Sequence, residues 1–399
     1  MSRVLVDSGI DWLGKIPKDW NRIKTKYLVS ITTGRKDANE SSENGQYPFF
    51  TCSIENKKIN DYSFDTEALL VAGNGIVGYT RYYNGKFDAY QRTYVLNNFN
   101  EKVNPTYLKY YFNSLLSKKL EVDKVGSVID FIKLGDLKNF IITFPILDEQ
   151  KKIANYLNKK CSKIDEIIKD NNKEIKLLEE YKLNIIDDNI NNLLKKSKTV
   201  KLKYLGNFIN GISAGANKFN HGNCVFINYG DVYNNFVVPE IPLGRIDLTD
   251  KEKNIYSLKK GDILFTRTSE TIDEVGISSV CLKDYPSSAF SGFVIRFRNM
   301  SKYIMNPNFY KYYFKSRKLR DYFASNMNLV TRASLSQNLL GILPIVIPDE
   351  SNQVEIANRL DGLFSKINNV IEYRKQIIEK LEEYKKSLIY ECVTGKREV

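Results

Sequence analysis

Histidine is almost missing from this chain of 399 residues, and cysteine is present without pattern. The one histidine, His221, stands beside Gly222 and reads as a turn residue. It leaves no second imidazole for a two-histidine metal site. A His-dependent nucleophilic triad would have to rest on that residue alone. The five cysteines (Cys52, Cys161, Cys224, Cys281, Cys392) form no C-x-x-C pair, which removes the usual zinc spacing and fits a reducing cytoplasm. Nowhere do 18 apolar residues run together, and the N-terminus lacks a basic start followed by an apolar run. The expectation is a protein that is neither exported nor membrane-spanning.

Catalytic signatures are equally scarce. There is no G-x-x-x-x-G-K-[ST] loop for nucleotide phosphates and no G-x-S-x-G elbow. Asn104-Pro105-Thr106-Tyr107 and Asn306-Pro307-Asn308-Phe309 approach the Asn-Pro-Pro-Tyr/Phe signature of adenine methyltransferases. Both lack the second proline, and no glycine-rich loop precedes either after a strand. Glu180-x-Lys182 and Glu383-x-Lys385 match half of a nuclease Glu-x-Lys motif but sit inside helical sequence with no strand carboxylate before them. The chain reads as a binding protein, not an enzyme.

What is present is a repeat. A shift of 203 residues lays Ile153-Ala154-Asn155 on Ile356-Ala357-Asn358 and Leu178-Glu179-Glu180-Tyr181-Lys182 on Leu381-Glu382-Glu383-Tyr384-Lys385, with 17 of 42 positions identical from Pro145 to Ile186. In the first copy Ile164, Ile168, Asn171, Ile175, Leu178 and Ile185 keep the coiled-coil seam period. In the second, Ile367, Ile371, Arg374, Ile378, Leu381 and Leu388 do the same. Each copy predicts one long helix, opened after Pro145 or Pro348 with Asp148 or Ser351 as the capping side chain. About 48 residues at roughly 1.5 Å per residue span on the order of 70 Å, the length of a spacer.

The repeat extends upstream. Lys24-x-Lys26-Tyr27-Leu28 and Gly34 recur at Lys201-x-Lys203-Tyr204-Leu205 and Gly211, and Asn104 to Ser114 matches Asn306 to Ser316. Between those marks lie short strands punctuated by turns, with central segments Ala68 to Tyr79 and Asp262 to Val280 that diverge. One frame carrying two different middles suggests one job done on two targets. The linker Lys195 to Val200 is short, so if each module's ends lie close together the two long helices must run antiparallel, and the C-terminus near Val399 returns to the first module.

The formal net charge of +13, on a chain with 12% aromatic residues, points to a polyanionic partner. Candidate contacts in the divergent middles are Arg35, Lys36, Asn74, Arg81, Tyr82, Gln91 and Arg92 in the first module. In the second they are Asn217, Lys218, Arg267, Thr268, Ser269, Ser291 and Arg332. Arg, Gln, Asn and Ser hydrogen-bond base edges in the major groove, and Lys and further Arg hold phosphates.

Taken together, Pro145-Ile146-Leu147-Asp148-Glu149-Gln150 followed by Ile153, the paired Leu-Glu-Glu-Tyr-Lys segments, the opening Asp11-Trp12-Leu13-Gly14-Lys15-Ile16-Pro17-Lys18-Asp19-Trp20 and the ending Val393-Thr394-Gly395-Lys396 make the chain resemble the specificity subunits of type I restriction-modification systems. At the second junction Asn352 replaces the family's acidic residue before Gln353. The resemblance implies an α+β architecture: two mixed α/β target recognition domains (1–147 and 195–347), separated by two long antiparallel coiled-coil helices (148–194 and 348–399) in a pseudo-two-fold repeat. It implies one half of a split double-stranded DNA site per domain, and no catalysis or cofactor on this chain. It implies docking of two methyltransferase subunits that use S-adenosylmethionine, then of restriction subunits that use ATP and Mg. The competing reading is a pair of peptide- or glycan-binding modules on a coiled-coil dimeriser. Salt separates the two, because DNA affinity falls steeply as counterions are added.

Overall fold

The computed structural model describes residues 3–55, 57–123, 131–196, 198–213, 219–271, 274–326 and 333–399. They divide into two compact units, Met1–Asn172 with Lys375–Val399, and Lys173–Arg374. Both long helices form, Leu147–Lys196 and Glu350–Val393, and each contributes to both units. Asp148 and Ser351 do not cap them. Each is the second residue of its helix, because the chain turns helical two residues sooner than expected, with the Gln150 amide already donating to Ile146 and that of Gln353 to Asp349.

In the first unit a sheet runs in the order Ser30–Thr33, Thr93–Asn97, Phe64–Ala72, Thr80–Ala89, Tyr47–Phe50, Lys57–Ile59. Its neighbours are antiparallel except Tyr47–Phe50, which lies parallel to the end of Thr80–Ala89. Ala68 to Ala72 are buried on both faces, the pattern of a strand with no wet side. Helix Pro105–Asp123 starts with proline at its first position, where the missing N–H costs nothing, and the Asn104 carboxamide accepts the Tyr107 amide at 2.9 Å. Tyr107, fully buried, donates its hydroxyl to the carbonyls of Thr143 and Val393, which pins helix, strand and C-terminal helix together. Here the C-terminal tail does return to the first module. Arg3 donates its amide to Glu398 and its guanidinium to Glu149.

The second unit repeats this plan with its sheet divided. Gly206–Asn210, Val294–Asn299, Ile263–Thr266 and Ser278–Val280 form one part, and Gly244–Ile246, Phe219–Ile227 and Ser288–Phe290 the other. Phe219–Ile227 runs parallel to Ser288–Phe290, as Tyr47–Phe50 does beside Thr80–Ala89.

Within each unit the long-helix segments run antiparallel. In the second, Glu174 pairs with Arg374, Lys182 donates to Asn368 at 3.0 Å and Asn189 accepts from Arg359, so partner numbers fall as the first helix advances. In the first, Lys385 meets Asp165 at 2.5 Å, while Arg3 bridges Glu149 to Glu398. The expected seam is the packed stripe, with Ile164 and Leu388 buried in one core and Ile185, Ile367 and Ile371 in the other. Its two polar residues are satisfied differently: Asn171 donates to the Ile167 carbonyl of its own helix, and Arg374 reaches across to Glu174.

Candidate nucleic-acid interface

The divergent residues are assembled by a lattice of backbone hydrogen bonds at one end of each sheet. In the first unit the Gly34 amide donates to Thr93, Tyr90 to Phe50, Thr93 to Tyr90, Gly73 to Arg92, and Ile132 to Gly73, at 2.7 to 3.2 Å. In the second unit the same bonds join Gly211 to Val294, Ser291 to Ile227, Val294 to Ser291, Arg267 to Phe293, and Leu335 to Arg267, at 2.7 to 3.0 Å. The recurring glycine is explained by this crowding. A Cβ on Gly34 would fall 1.8 Å from the Ala89 carbonyl oxygen, and one on Gly211 would fall 2.1 Å from that of Ser291.

The two lattices present different side chains from equivalent backbone. Where the first has Gln91-Arg92 the second has Gly292-Phe293, and where the first has Gly73-Asn74 the second has Arg267-Thr268. Arginine has moved from one loop to the adjacent one, and Phe293, 55% exposed, takes the place of Arg92. An exposed phenylalanine beside an arginine offers a flat apolar face next to a bidentate donor, a combination suited to base stacking or to a thymine methyl.

In the first unit the lattice brings together Arg35, Lys36, Asn74, Gln91 and Arg92. Arg35, Gln91 and Arg92 are exposed. Lys36 pairs with Glu40 at 3.2 Å, a contact that raises the pKa of its ammonium and keeps it charged. The Gln91 carboxamide leans on Asp37 at 3.4 Å. Arg81 lies at the margin. Its Nη2 donates to the Thr51 carbonyl at 2.6 Å, its guanidinium sits 4.8 Å from the Phe50 ring centre, and burial lowers its pKa. Tyr82 is set apart on the body of the strand. Its hydroxyl donates to Glu67 at 2.7 Å, and that bond, with burial, pushes its pKa up to about 12.

In the second unit Arg267, Thr268 and Ser291 share the lattice. Arg267 is half-buried, and Thr268 pairs in a short ladder with Ser334. The Ser269 hydroxyl is engaged by Glu274. Ser291 is buried, and its hydroxyl accepts the Phe293 amide at 3.3 Å, so it shapes the turn that displays Phe293. Asn217, Lys218 and Arg332 lie outside the described residues. Phe293 is the residue that sequence reading missed. Its signal was the placing of Ser291-Gly292-Phe293-Val294 before the same strand as Tyr90-Gln91-Arg92-Thr93.

The Asn-Pro segments prove structural. Gln150 and Gln353, each fully buried, accept the amides of Asn104 and Asn306 at 2.8 Å, so these segments serve as anchor points of the long helices. Among the described residues no cluster of three His, Cys, Asp or Glu side chains could hold a metal ion. All five cysteines are buried and free. No helix among the described residues is long and apolar enough to cross a membrane.

Two repeats, each ending in a Gln-anchored long helix and each presenting a loop lattice with its own side chains, define a two-module protein. The chain belongs to the type I restriction modification DNA specificity domain family, whose profile matches residues 17–177 and again 195–383. It is 38% identical over 152 residues to the specificity subunit of the type I restriction enzyme EcoDI of Escherichia coli, a match covering 38% of this chain and 33% of that protein. It is 22% identical over 304 residues to the EcoKI specificity subunit of Escherichia coli K12, covering 71% of this chain and 63% of that protein. These matches thus span from a third to under two thirds of the relatives' length. Among solved structures, a chain from a study of complex assembly and conformational transition in the type I R-M system superposes with a TM-score of 0.70 at 15% identity, covering 96% of this chain and all of that one. The HsdS subunit of Thermoanaerobacter tengcongensis gives 0.51 at 14% identity, covering 98% of this chain and all of that one. These two likenesses are of fold.

Proposed function

We propose that this chain is the sequence-specific DNA-recognition subunit of a type I restriction-modification enzyme. Each module (1–147 and 195–347) reads one half of a bipartite, asymmetric double-stranded site, and the long helices (148–194 and 348–399) serve as spacer and docking surface. The observation that carries this reading is the pair of matching loop lattices with exchanged side chains. A shared backbone keeps the geometry of approach to a duplex, and the changed residues alter which base edges are met. The net charge of +13 supplies the phosphate attraction.

On this reading the chain performs no chemistry and acts in the cytoplasm. Two methyltransferase subunits using S-adenosylmethionine would dock on it, and restriction subunits using ATP and Mg would join them. The test is selection from a random duplex pool by the purified chain with its methyltransferase partner, alongside sequencing of methylated adenines in a host carrying both. The expected result is one split motif, found by both methods, with affinity that falls steeply with salt. Salt-insensitive binding to peptides or glycans, with no motif enriched, would overturn it in favour of the two-module peptide- or glycan-binding alternative.

A further inference from the structure

Beside the loop lattice, the first unit contains a crevice of about 980 Å³ between the strand Thr80–Ala89, the helix Pro105–Asp123 and the two long helices. That is the size of a small-molecule site. Its cations are Lys57, Lys58, Arg81, Lys109 and Lys385, against one lining carboxylate, Asp165, which Lys385 already occupies at 2.5 Å. Its rings include Phe50, Tyr79, Tyr83 and Tyr110.

The repeat shows what is unusual about it. The equivalent crevice in the second unit is lined by Lys311, Tyr312, Asp361, Phe364, Asn368 and Lys182, the counterparts of Lys109, Tyr110, Asn158, Cys161, Asp165 and Lys385. There Lys311 is neutralised by Asp361 at 2.6 Å, and Phe236 packs against Tyr312 and Phe364 at ring distances of 5.8 Å, leaving about 450 Å³. In the first unit Asn158 stands where Asp361 does. It accepts the Tyr110 hydroxyl at 2.8 Å, as Asp361 accepts that of Tyr312, but brings no charge to Lys109. Cys161 in place of Phe364 leaves the space open. Among the described residues no carboxylate pairs with Lys109, while the Arg81 guanidinium is buried against the Phe50 and Tyr79 rings. Burial accordingly lowers the pKa of Lys109, which faces the Tyr110 ring at 4.4 Å in place of a carboxylate.

We propose that this crevice binds a phosphorylated, nucleotide-sized anion, with the phosphate held at Lys109 and attracted by Lys57 and Lys58. An ammonium that no carboxylate neutralises supplies the charge-assisted donors a phosphate takes, and the surplus of lysines around it supplies the field that draws the anion in. A free mononucleotide and one residue of a single strand share that chemistry. The inference does not rest on the DNA-recognition reading, whose site is the loop lattice.

The test uses the full chain with AMP and, separately, with a single-stranded d(T)10 oligonucleotide, each by equilibrium titration. Asn158→Asp is the informative variant, because it recreates the Lys311–Asp361 arrangement that the fold already accepts, and Lys109→Met is the second. Saturable AMP binding, weakened at least tenfold in both variants while duplex affinity and melting temperature stay as in the parent, is the expected result. If d(T)10 alone binds with the same sensitivity, the site stands and its ligand is a strand. Absence of binding by both probes at millimolar concentration, or affinities that neither variant changes, overturns the proposal whatever becomes of duplex recognition.

Discussion

The side chain of Gln150 stands to Asn104 as Gln353 stands to Asn306, each accepting the asparagine's backbone amide at 2.8 Å. Each also donates its Nε2 to two backbone carbonyls, Gln150 to Lys102 and Pro145, Gln353 to Ile304 and Pro348. One carboxamide thus ties the turn before the module helix to the first turn of a long helix.

Replacing either glutamine with leucine leaves three backbone groups without this partner, the buried carbonyl of Pro145 or Pro348 among them, a loss on the order of 1–3 kcal/mol. Gln150→Leu should destabilise the first unit and Gln353→Leu the second. Denaturant unfolding followed by hydrogen exchange of each unit checks the assignment. Equal loss of protection in both units from either change would contradict it.

These glutamines show what the sequence made legible and what it did not. The repeat, the seam and the junction were readable because they are local or periodic, and a fixed shift exposes them. The function of the Asn-Pro segments was not, since it depends on a residue 46 or 47 positions away. The capping role expected of Asp148 and Ser351 failed by two residues, within the usual spread of a helix start read from sequence. Of the site residues, Arg92 and Arg267 were found by type. That they belong to adjacent loops of one lattice needed the strand pairing, and so did the recognition that Ser291 is a turn support while Phe293 is on display.

Asp262 is buried and binds Arg298 in a fork, Oδ1 to Nε at 2.7 Å and Oδ2 to Nη2 at 2.6 Å. It also accepts the Lys259 amide at 2.7 Å. Removing the carboxylate with Asp262→Ala strands a guanidinium that is four-fifths covered, at a cost of about 3–5 kcal/mol. The expected outcome is a lowered unfolding midpoint for the second unit, with Arg298→Met less harmful when combined with Asp262→Ala than the sum of the two single changes.

Lys315 takes the position of Asn113 in the second unit, 4.9 Å from the Phe236 ring centre. Burial, helped by Arg320, lowers its pKa to about 8 from an ordinary 10.5. The folded state therefore releases the proton before the unfolded state does, so stability should rise as pH passes from about 8 to 10.5 and be lower, by up to about 3 kcal/mol, below that window. Lys315→Met should abolish this component. The measurement is the denaturation midpoint of parent and variant from pH 7 to 10.5: the variant should be the more stable at pH 7 and lose that advantage by pH 10.5.

Arg92 and Arg267 occupy adjacent loops of equivalent lattices, so their substitution should affect opposite halves of the proposed DNA site. Arg can bond guanine bidentately at O6 and N7, a contact worth roughly 1–3 kcal/mol of discrimination. Arg92→Ala should relax one position of the half read by the first module, and Arg267→Ala one position of the other, each by about tenfold or more in selection from a duplex pool. Phe293→Ala should weaken preference beside the Arg267 position without changing the salt slope, because the ring carries no charge. A phosphate role for either arginine gives a different result: affinity falls evenly over all sequences and the salt slope becomes shallower by about one unit. If all three substitutions leave motif, affinity and slope unchanged, the loop lattice is not the face that meets DNA.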